Sequence, residues 1–478
     1  MTGTQLTLFN SLTRSQEPFA PSDGKTARVY SCGPTVYNFA HLGNLRAYVF
    51  TDTLRRTLLF KGWEVRHVIN ITDVGHLTSD ADAGEDKMEL AAAGLGKDIW
   101  EVAAFYTAAF KANLKDLNIV DPTIWSVATD HIAEMIAFAG KIAQEHCYEI
   151  ESGLYFDVTT VPDYGRLARS TADEGESRID PVSGKRNPQD FAIWRRSPPG
   201  EQRQMEWDSP WGRGAPGWHL ECSVMSLKYL GPEPFDIHTG GIDHREIHHP
   251  NEIAQNQAYC DCTAEQPGFT GARFWMHNNF LVDRTGKMSK SGGGFTTLQS
   301  LIDAGVPPLA YRLLCLTAHY RSELEFSGEA VGAAVTRLKR LVMAAEKLGT
   351  ESGTPSHAYL DRLDKALSDD LNTPQALVAL DEMLADKKLT PADRRATLVR
   401  FDAALGLNLA TLSRAELRVR PLAATLDETE IEARLEQRKE ARAAKDFARS
   451  DAIRDELIAA GVEVMDGDPL RWEWKVSL

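Results

Sequence analysis

Hydrophobic and polar positions change their spacing several times along the chain, and each change predicts an element. "ARVYSC" (27–32) is a β-rich run broken by Gly33-Pro34, which predicts a strand. "LGNLRAYVFTDTLRRTLLFKG" (42–62) reads as a helix closed by Gly62, and "EVRHVINIT" (64–72) as a second strand. Strand, helix and strand at this spacing form a βαβ unit and imply a parallel sheet. "DIWEVAAFYTAAFKANLKDL" (98–117) then continues as a long amphipathic helix.

From about Val127 to Met205 the texture shifts. Short strands such as "GLYFDV" (153–158) alternate with Gly/Pro-rich text such as "DPVSGKRNP" (180–188) and "RRSPPGEQRQ" (195–204), which reads as an insertion. The α/β pattern resumes with "WHLECSVMSLKYLG" (218–231), "FDIHTGG" (235–241) and the helix "NEIAQNQAYC" (251–260). A loop, "VDRTGKMSKSGGG" (282–294), follows. A second boundary falls at "LGTESGTPSH" (348–357), beyond which helical text dominates; no internal repeat is visible.

Length and composition narrow the class. A chain of 478 residues exceeds what one core organises, so about two to four domains are expected. No apolar run has the length of a membrane span, and "MTGTQLTLFNSLTRSQEPF" lacks a basic start followed by an apolar core. A cytoplasmic protein without membrane attachment is expected. The six cysteines are sparse and irregularly spaced, as reduced thiols or metal ligands would be. A net charge of −15 argues against indiscriminate nucleic-acid binding, so a nucleic-acid partner must be met by positive charge gathered locally.

Three stretches carry chemistry. "HLGN" (41–44) sits where a strand hands over to a helix, so backbone amides and the positive helix end can face a phosphate, with Gly43 allowing close approach. "KMSKS" (287–291) places Lys287 and Lys290 in a glycine-flanked loop, where two ammonium groups could grip a triphosphate. "DIHTGGIDHREIHHPNEIAQ" (236–255) gathers His238, His244, His248 and His249. His248 and Glu252 are one helical turn apart and can face one point.

In this order the three motifs resemble the signature of class I aminoacyl-tRNA synthetases, with Asn44 in place of a final histidine. Within that class the chain is most similar to the cysteinyl-tRNA synthetase family. The resemblance runs through "YSCGPTVYNFAHLGNLR", "NITDVGH", "KRNPQDFAIW", "WDSPWGRGAPGWHLECSVMS", "DIHTGGID", "HHPNEIAQ" and "KMSKS". It implies a Rossmann-type parallel-sheet catalytic domain split by a connective insertion and followed by an α-helical tRNA-binding region. The expected spans are 1–126 and 206–286 for the two catalytic halves and 127–205 for the insertion. A lysine-loop and stem-contact region is expected at 287–352, and a helical anticodon-binding region with a small C-terminal element at 353–478.

The resemblance also implies roles. ATP would be bound by His41, Gly43, Asn44, His238, Gly240, Gly241, Asp243, Lys287 and Lys290, with Asp243 on the ribose and Mg²⁺ accompanying the nucleotide. His41, Asn44, Lys287 and Lys290 would stabilise charge at the α-phosphorus. One Zn²⁺ per chain would be held by Cys32, Cys222, His248 and Glu252, the two cysteines arriving from separate strand ends. Thr72 and Trp218 would lie beside the amino acid. Cysteine, ATP and tRNA(Cys) are the implied partners of a monomeric enzyme that forms cysteinyl adenylate and passes cysteine to the tRNA. Serine differs from cysteine by one atom, and a shape-based pocket separates such near-isosteres by only about 1–3 kcal/mol. A thiolate-binding metal would supply the missing selectivity.

Some readings stay open. Cys260 and Cys262 are expected to be structural thiols. His249 fits a supporting position near the metal or a buried, hydrogen-bonded ring, and His244 has no assigned role. Arg434, Arg438, Arg442, Lys445 and Arg449 recur along one face of an expected helix running to Gly461, either to meet tRNA or as a solvated face paired with Glu432, Glu436 and Glu440. "LRWEWKV" (470–476) alternates like a strand and offers Trp472 or Trp474 for stacking on a base. Pro250, Asn279 and the glycines after "KMSKS" depart from the family pattern. The alternatives are an idle tRNA-binding paralogue, a ligase joining cysteine to an amino sugar in mycothiol synthesis, and a zinc hydrolase.

Overall fold

The computed structural model describes residues 3–75, 87–161, 163–168, 183–198, 200, 203–260, 269–283, 286–287, 296–351, 353–476 and 478. Strand β1 (Thr26–Ser31) runs through the 42–62 helix, α1 (Leu42–Phe60), to β2 (Glu64–Ile71). Helix α2 (Ile99–Asp116) leads to β3 (Ile124–Val127). Asp98 starts α2 by accepting from the Glu101 amide, and Gly62, at φ +86°, turns the chain out of α1.

After α3 (Ile132–His146), four short strands follow: β4 (Cys147–Ile150), β5 (Gly153–Phe156), β6 (Phe191–Arg196) and β7 (Gly214–Pro216). They form a separate antiparallel sheet in that order, so it extends past Met205. The chain then returns through α4 (Trp218–Leu230), β8 (Phe235–Gly241), α5 (His248–Tyr259) and β9 (Ala272–Asn278).

The central sheet has the order β9-β8-β1-β2-β3, and every pair in it is parallel. Connections from β1 and β8 lead in opposite directions, which makes the gap between their carboxyl ends a topological switch point, where open α/β sheets bind ligands. Gly33 lets the chain leave β1 there: a Cβ on it would lie 1.5 Å from the Asn70 carbonyl oxygen.

Beyond β9 lie β10 (Leu281–Asp283), β11 (Gly286–Lys287), α6 (Pro308–Leu316) and β12 (Leu324–Glu325), with β10 pairing with both short strands. Helices α7 (Gly328–Glu346), α8 (His357–Ser368), α9 (Thr373–Ala385) and α10 (Pro391–Leu405) follow. Helices α1 and α6 are joined by a buried ion pair in which Arg312 donates to Asp52 at 2.5 Å, neither side chain being exposed.

The C-terminal element corrects the sequence expectation. Instead of one helix to Gly461 there are two, α11 (Glu428–Ala443) and α12 (Phe447–Ala459), closed by the pair β13 (Val462–Val464) and β14 (Trp472–Trp474). Lys445 takes φ +62° and Asp446 caps α12 by accepting from the Arg449 amide, so the chain folds back between them. The single basic face is therefore broken. Arg438 forks onto Asp466 at 2.5 and 2.8 Å, and Arg434 pairs with Glu456 at 3.0 Å.

Trp472 and Trp474 are only 0% and 4% exposed. They pack edge to face in the core of this element, so neither presents a ring to a base. The exposed aromatic is Phe447, 63% accessible at the start of α12. Among the described residues, no helix is long and apolar enough to cross a membrane.

Candidate functional site

A cleft of about 270 Å³ opens at the switch point. His41, Gly43, Asn44, Thr72, Trp218, Gly240, Gly241 and Asp243 line it, and Cys32, Cys222 and His248 reach it. Most of the described residues singled out from the sequence thus converge on one place. Lys287 lies on β11, and Lys290 with the glycines 292–294 lies outside the described residues.

His41 and Asn44 close the N-terminus of α1 reciprocally. His41 Nδ1 accepts from the Asn44 amide at 3.2 Å, and Asn44 Oδ1 accepts from the His41 amide at 3.3 Å. This capping box holds both side chains at the positive helix end. The chain on the far side of the lysine loop comes back to the same spot, where the Leu42 amide donates to the Thr296 carbonyl at 2.9 Å. Arg46, buried on α1 and not noticed in the sequence, donates to the carbonyls of Asn279 at 2.9 Å and Ser322 at 2.6 Å. It ties the approach to the lysine loop onto the capped helix.

The metal-type donors lie on the floor of the cleft. One ligand atom each from Cys32, Cys222, His248 and Glu252 comes within 4.8 Å of all the others. Cys32 follows β1. Cys222, contrary to expectation, comes from the second turn of α4 and not from a strand end. His248 and Glu252 share the first turns of α5, and Pro250 sits in its opening turn, where no amide partner is needed.

Surrounding rings orient these groups. His248 Nε2 lies 3.0 Å from Glu252 Oε1, while its Nδ1 is 2.9 Å from His219 Nδ1. Glu252 Oε2 is 2.9 Å from His238 Nε2. His249 Nε2 contacts Cys32 Sγ at 3.3 Å, and its Nδ1 leads to His277 at 2.8 Å and on to Ser11. Cys32, His238, His249 and Glu252 make a second, overlapping donor group.

Charge is unevenly shared among the four donors: burial and a hydrogen bond with Cys222 push the Cys32 thiol well above its ordinary range. A hydrogen bond with Cys32 pulls the Cys222 thiol down to about 6, against the upward push of burial. Burial would lower His248, but Cys222 and Glu252 outweigh it and raise the ring to about 10. Burial would raise Glu252, yet His238 and His248 hold it at about 2. Two thiols, an imidazole and a carboxylate at this spacing fit a soft or borderline divalent ion such as zinc. The rings on His248 and Glu252 are the kind of outer support such ligands use.

Thr72 and Trp218 both lie on the cleft wall. Thr72 is buried against it: its hydroxyl donates to Glu221 at 3.0 Å and accepts from Asn70 at 3.0 Å. Burial pushes the Glu221 carboxyl well above its ordinary range. Trp218 begins α4 with its ring 4.4 Å from that of His248.

His238, expected in the nucleotide pocket, is not part of the cleft lining. It lies on the opposite face of β8 from Thr239, in a row with Tyr30 and Trp275, and stacks on Trp275 at 4.5 Å. Its work is to hold Glu252. His244, left without a role, lines the cleft, and its Nδ1 is buried without a hydrogen-bond partner. Gly240 makes room for these rings, since a Cβ there would lie 2.7 Å from His249 and 2.8 Å from His244. Cys260 is disulfide-bonded and not a reduced thiol; Cys262 lies outside the described residues.

Comparison with known proteins gives a consistent result. Residues 18–336 match the class I (C) tRNA synthetase catalytic domain, and residues 428–474 the cysteinyl-tRNA ligase anticodon-binding domain. The chain is 63% identical to the cysteine–tRNA ligase of Novosphingobium aromaticivorans, covering 99% of this chain and 97% of the relative. It is 58% identical to that of Zymomonas mobilis, over 98% and 97%. In fold it is similar to Mycobacterium tuberculosis methionyl-tRNA synthetase in complex with methionyl-adenylate, at 13% identity and TM-score 0.51, covering 82% of this chain and 91% of that one. With family matches at both ends and near-complete relatives across the whole length, the chain belongs to the cysteine–tRNA ligase family of class I tRNA synthetases.

Proposed function

We propose that this chain is a cysteine–tRNA ligase in which the donor cluster beneath the cleft selects the amino acid by its sulfur. The cysteine carboxylate attacks the α-phosphorus of ATP and pyrophosphate leaves. The terminal ribose hydroxyl of tRNA(Cys) then takes the cysteinyl group and AMP leaves. Neither step needs a protein nucleophile, so the residues act by positioning and by charge.

Cys32, Cys222, His248 and Glu252 would hold one zinc ion, which when bound supplies a Lewis site where a thiolate outcompetes a neutral hydroxyl. Thr72 and Trp218 border the amino acid above that cluster. His41 and Asn44 present the amino end of α1 to the phosphates, and Gly240, Gly241 and Asp243 border the ribose. Lys287 and Lys290 supply positive charge to the triphosphate, which Mg²⁺ accompanies. The antiparallel β4–β7 region, expected from the sequence at 127–205, acts as a connective insertion, and the 353–478 region meets the tRNA. The enzyme works as a cytoplasmic monomer.

The observation that carries this reading is the convergence of two thiols, an imidazole and a carboxylate on the floor of a nucleotide-type cleft. The anticodon-binding match at 428–474 favours tRNA over an amino sugar as the acceptor. The test is aminoacylation of tRNA with cysteine against serine, before and after zinc removal. Selective charging that fades with the metal is expected. Selectivity retained by metal-free protein would defeat the reading.

A further inference from the structure

The cleft is small for everything the reaction must gather. Its volume of about 270 Å³ falls at the lower edge of the roughly 300–1,000 Å³ typical of single small-molecule sites. A cleft of that size suits one nucleoside-sized ligand, and the terminal nucleoside of a second substrate also has to approach it. The rim offers a surface for one. Phe39, in the loop between β1 and α1, and Phe105, on α2, are 46% and 45% exposed. Their ring centroids are 5.8 Å apart, and Phe39 also meets Tyr106 edge-on at 5.1 Å.

Phe39 and Tyr106 line the cleft itself, so this aromatic shelf is continuous with the reaction site. Lys97 lies with its ammonium 5.0 Å from the centre of the Phe105 ring. Lys97 covers one side of the Phe105 ring, and Phe39 and Phe105 meet at 70°, so the shelf offers a base the Phe39 ring and the remaining side of Phe105 and, in a chain of net charge −15, a local positive charge for its phosphate.

We propose that Phe39 and Phe105 form the stacking platform for the terminal adenine of the tRNA acceptor end; this rests on the ligase reading above. The platform holds the base at the rim, and the attached ribose hydroxyls then enter the cleft towards the adenylate. Phe105 serves the second substrate alone, so amino-acid activation does not depend on it.

The test is a cycle between protein and tRNA. Affinity for tRNA(Cys) with and without its 3′-terminal adenosine is measured for the unaltered protein, for Phe105→Leu, which keeps apolar bulk, and for Phe105→Trp, which keeps an aromatic face. Removing the adenosine should weaken binding to the unaltered protein by about 5–150-fold, the range of one base–aromatic stack, and should matter little to Phe105→Leu. Phe105→Trp should restore the dependence, and Phe39→Leu should behave as Phe105→Leu does.

Equal losses in the unaltered protein and Phe105→Leu would overturn the platform. So would a raised KM for ATP in pyrophosphate exchange by Phe105→Leu, which would give the shelf to ATP. Absence of cysteine-dependent pyrophosphate exchange in the unaltered protein would remove the ligase reading and this proposal's premise with it.

Discussion

His67 makes the protein's stability depend on pH in a way that one substitution can isolate. The ring is 2% exposed in the middle of the parallel sheet, with Nε2 2.9 Å from the Ser31 hydroxyl and Nδ1 without a partner. Burial, reinforced by nearby Arg55, lowers it from 6.5 to about 3. Between those values the unfolded chain carries a proton that the folded chain refuses. Stability is therefore complete above about 6.5 and is lost as pH falls towards 3. Each pH unit below the upper value removes about 1.4 kcal/mol, so at about pH 5 this ring costs roughly 2 kcal/mol. His219, His249 and His277 are lowered by burial as well, and loss of any ion held by the donor cluster would add to the slope. A comparison with His67→Gln cancels both contributions, because they act alike in the two proteins. Urea unfolding followed by tryptophan fluorescence should show the stability difference between them shifting by about 2 kcal/mol in the variant's favour between about pH 7 and pH 5. Parallel curves would refute the argument, since they would mean that the folded sheet admits the proton.

Further outcomes follow from the same geometry. Arg312→Met leaves buried Asp52 with Arg56 as its remaining ion-pair partner at 2.7 Å, so it should cost less than the about 3–5 kcal/mol of a fully unpaired buried charge in thermal unfolding, with Asp52→Asn added on top costing less than the sum of the two. Cys222→Ser should lower bound zinc by metal analysis and narrow the preference for cysteine over serine in pyrophosphate exchange; full zinc content in the variant would count against the donor set. Lys287→Ala should slow adenylate formation by orders of magnitude while zinc content stays intact, and unchanged exchange would reject its role. Phe447→Ala should weaken tRNA binding by about 5–150-fold at little cost in stability. Trp472→Ala should instead destabilise by about 3–5 kcal/mol, as the loss of a core aromatic does.

What could be read from the chain and what could not divide along physical lines. The βαβ unit was legible because apolar spacing, the Gly62 stop and the β-rich flanks agree with one another, and the parallel register of β1 with β2 follows from the helix between them. That Cys32, Cys222, His248 and Glu252 come together was legible through resemblance, and the pairing of the last two through spacing alone, since positions 248 and 252 must share a face wherever α5 begins. The misses are positions where one residue of register, or one backbone dihedral, decides the outcome. Moving one step along β8 separates Thr239 on the cleft from His238 beneath the sheet, and nothing in "FDIHTGG" says which face is wet. Lys445 in the left-handed region splits the C-terminal helix, where helix propensity favours continuity; the only local hint is Asp446, which can cap a new start. That turn also reassigns the aromatics. By folding α12 back on α11 it covers Trp472 and Trp474 and leaves Phe447 outside, so the residue able to stack on a base follows from the hairpin and not from the richest aromatic run.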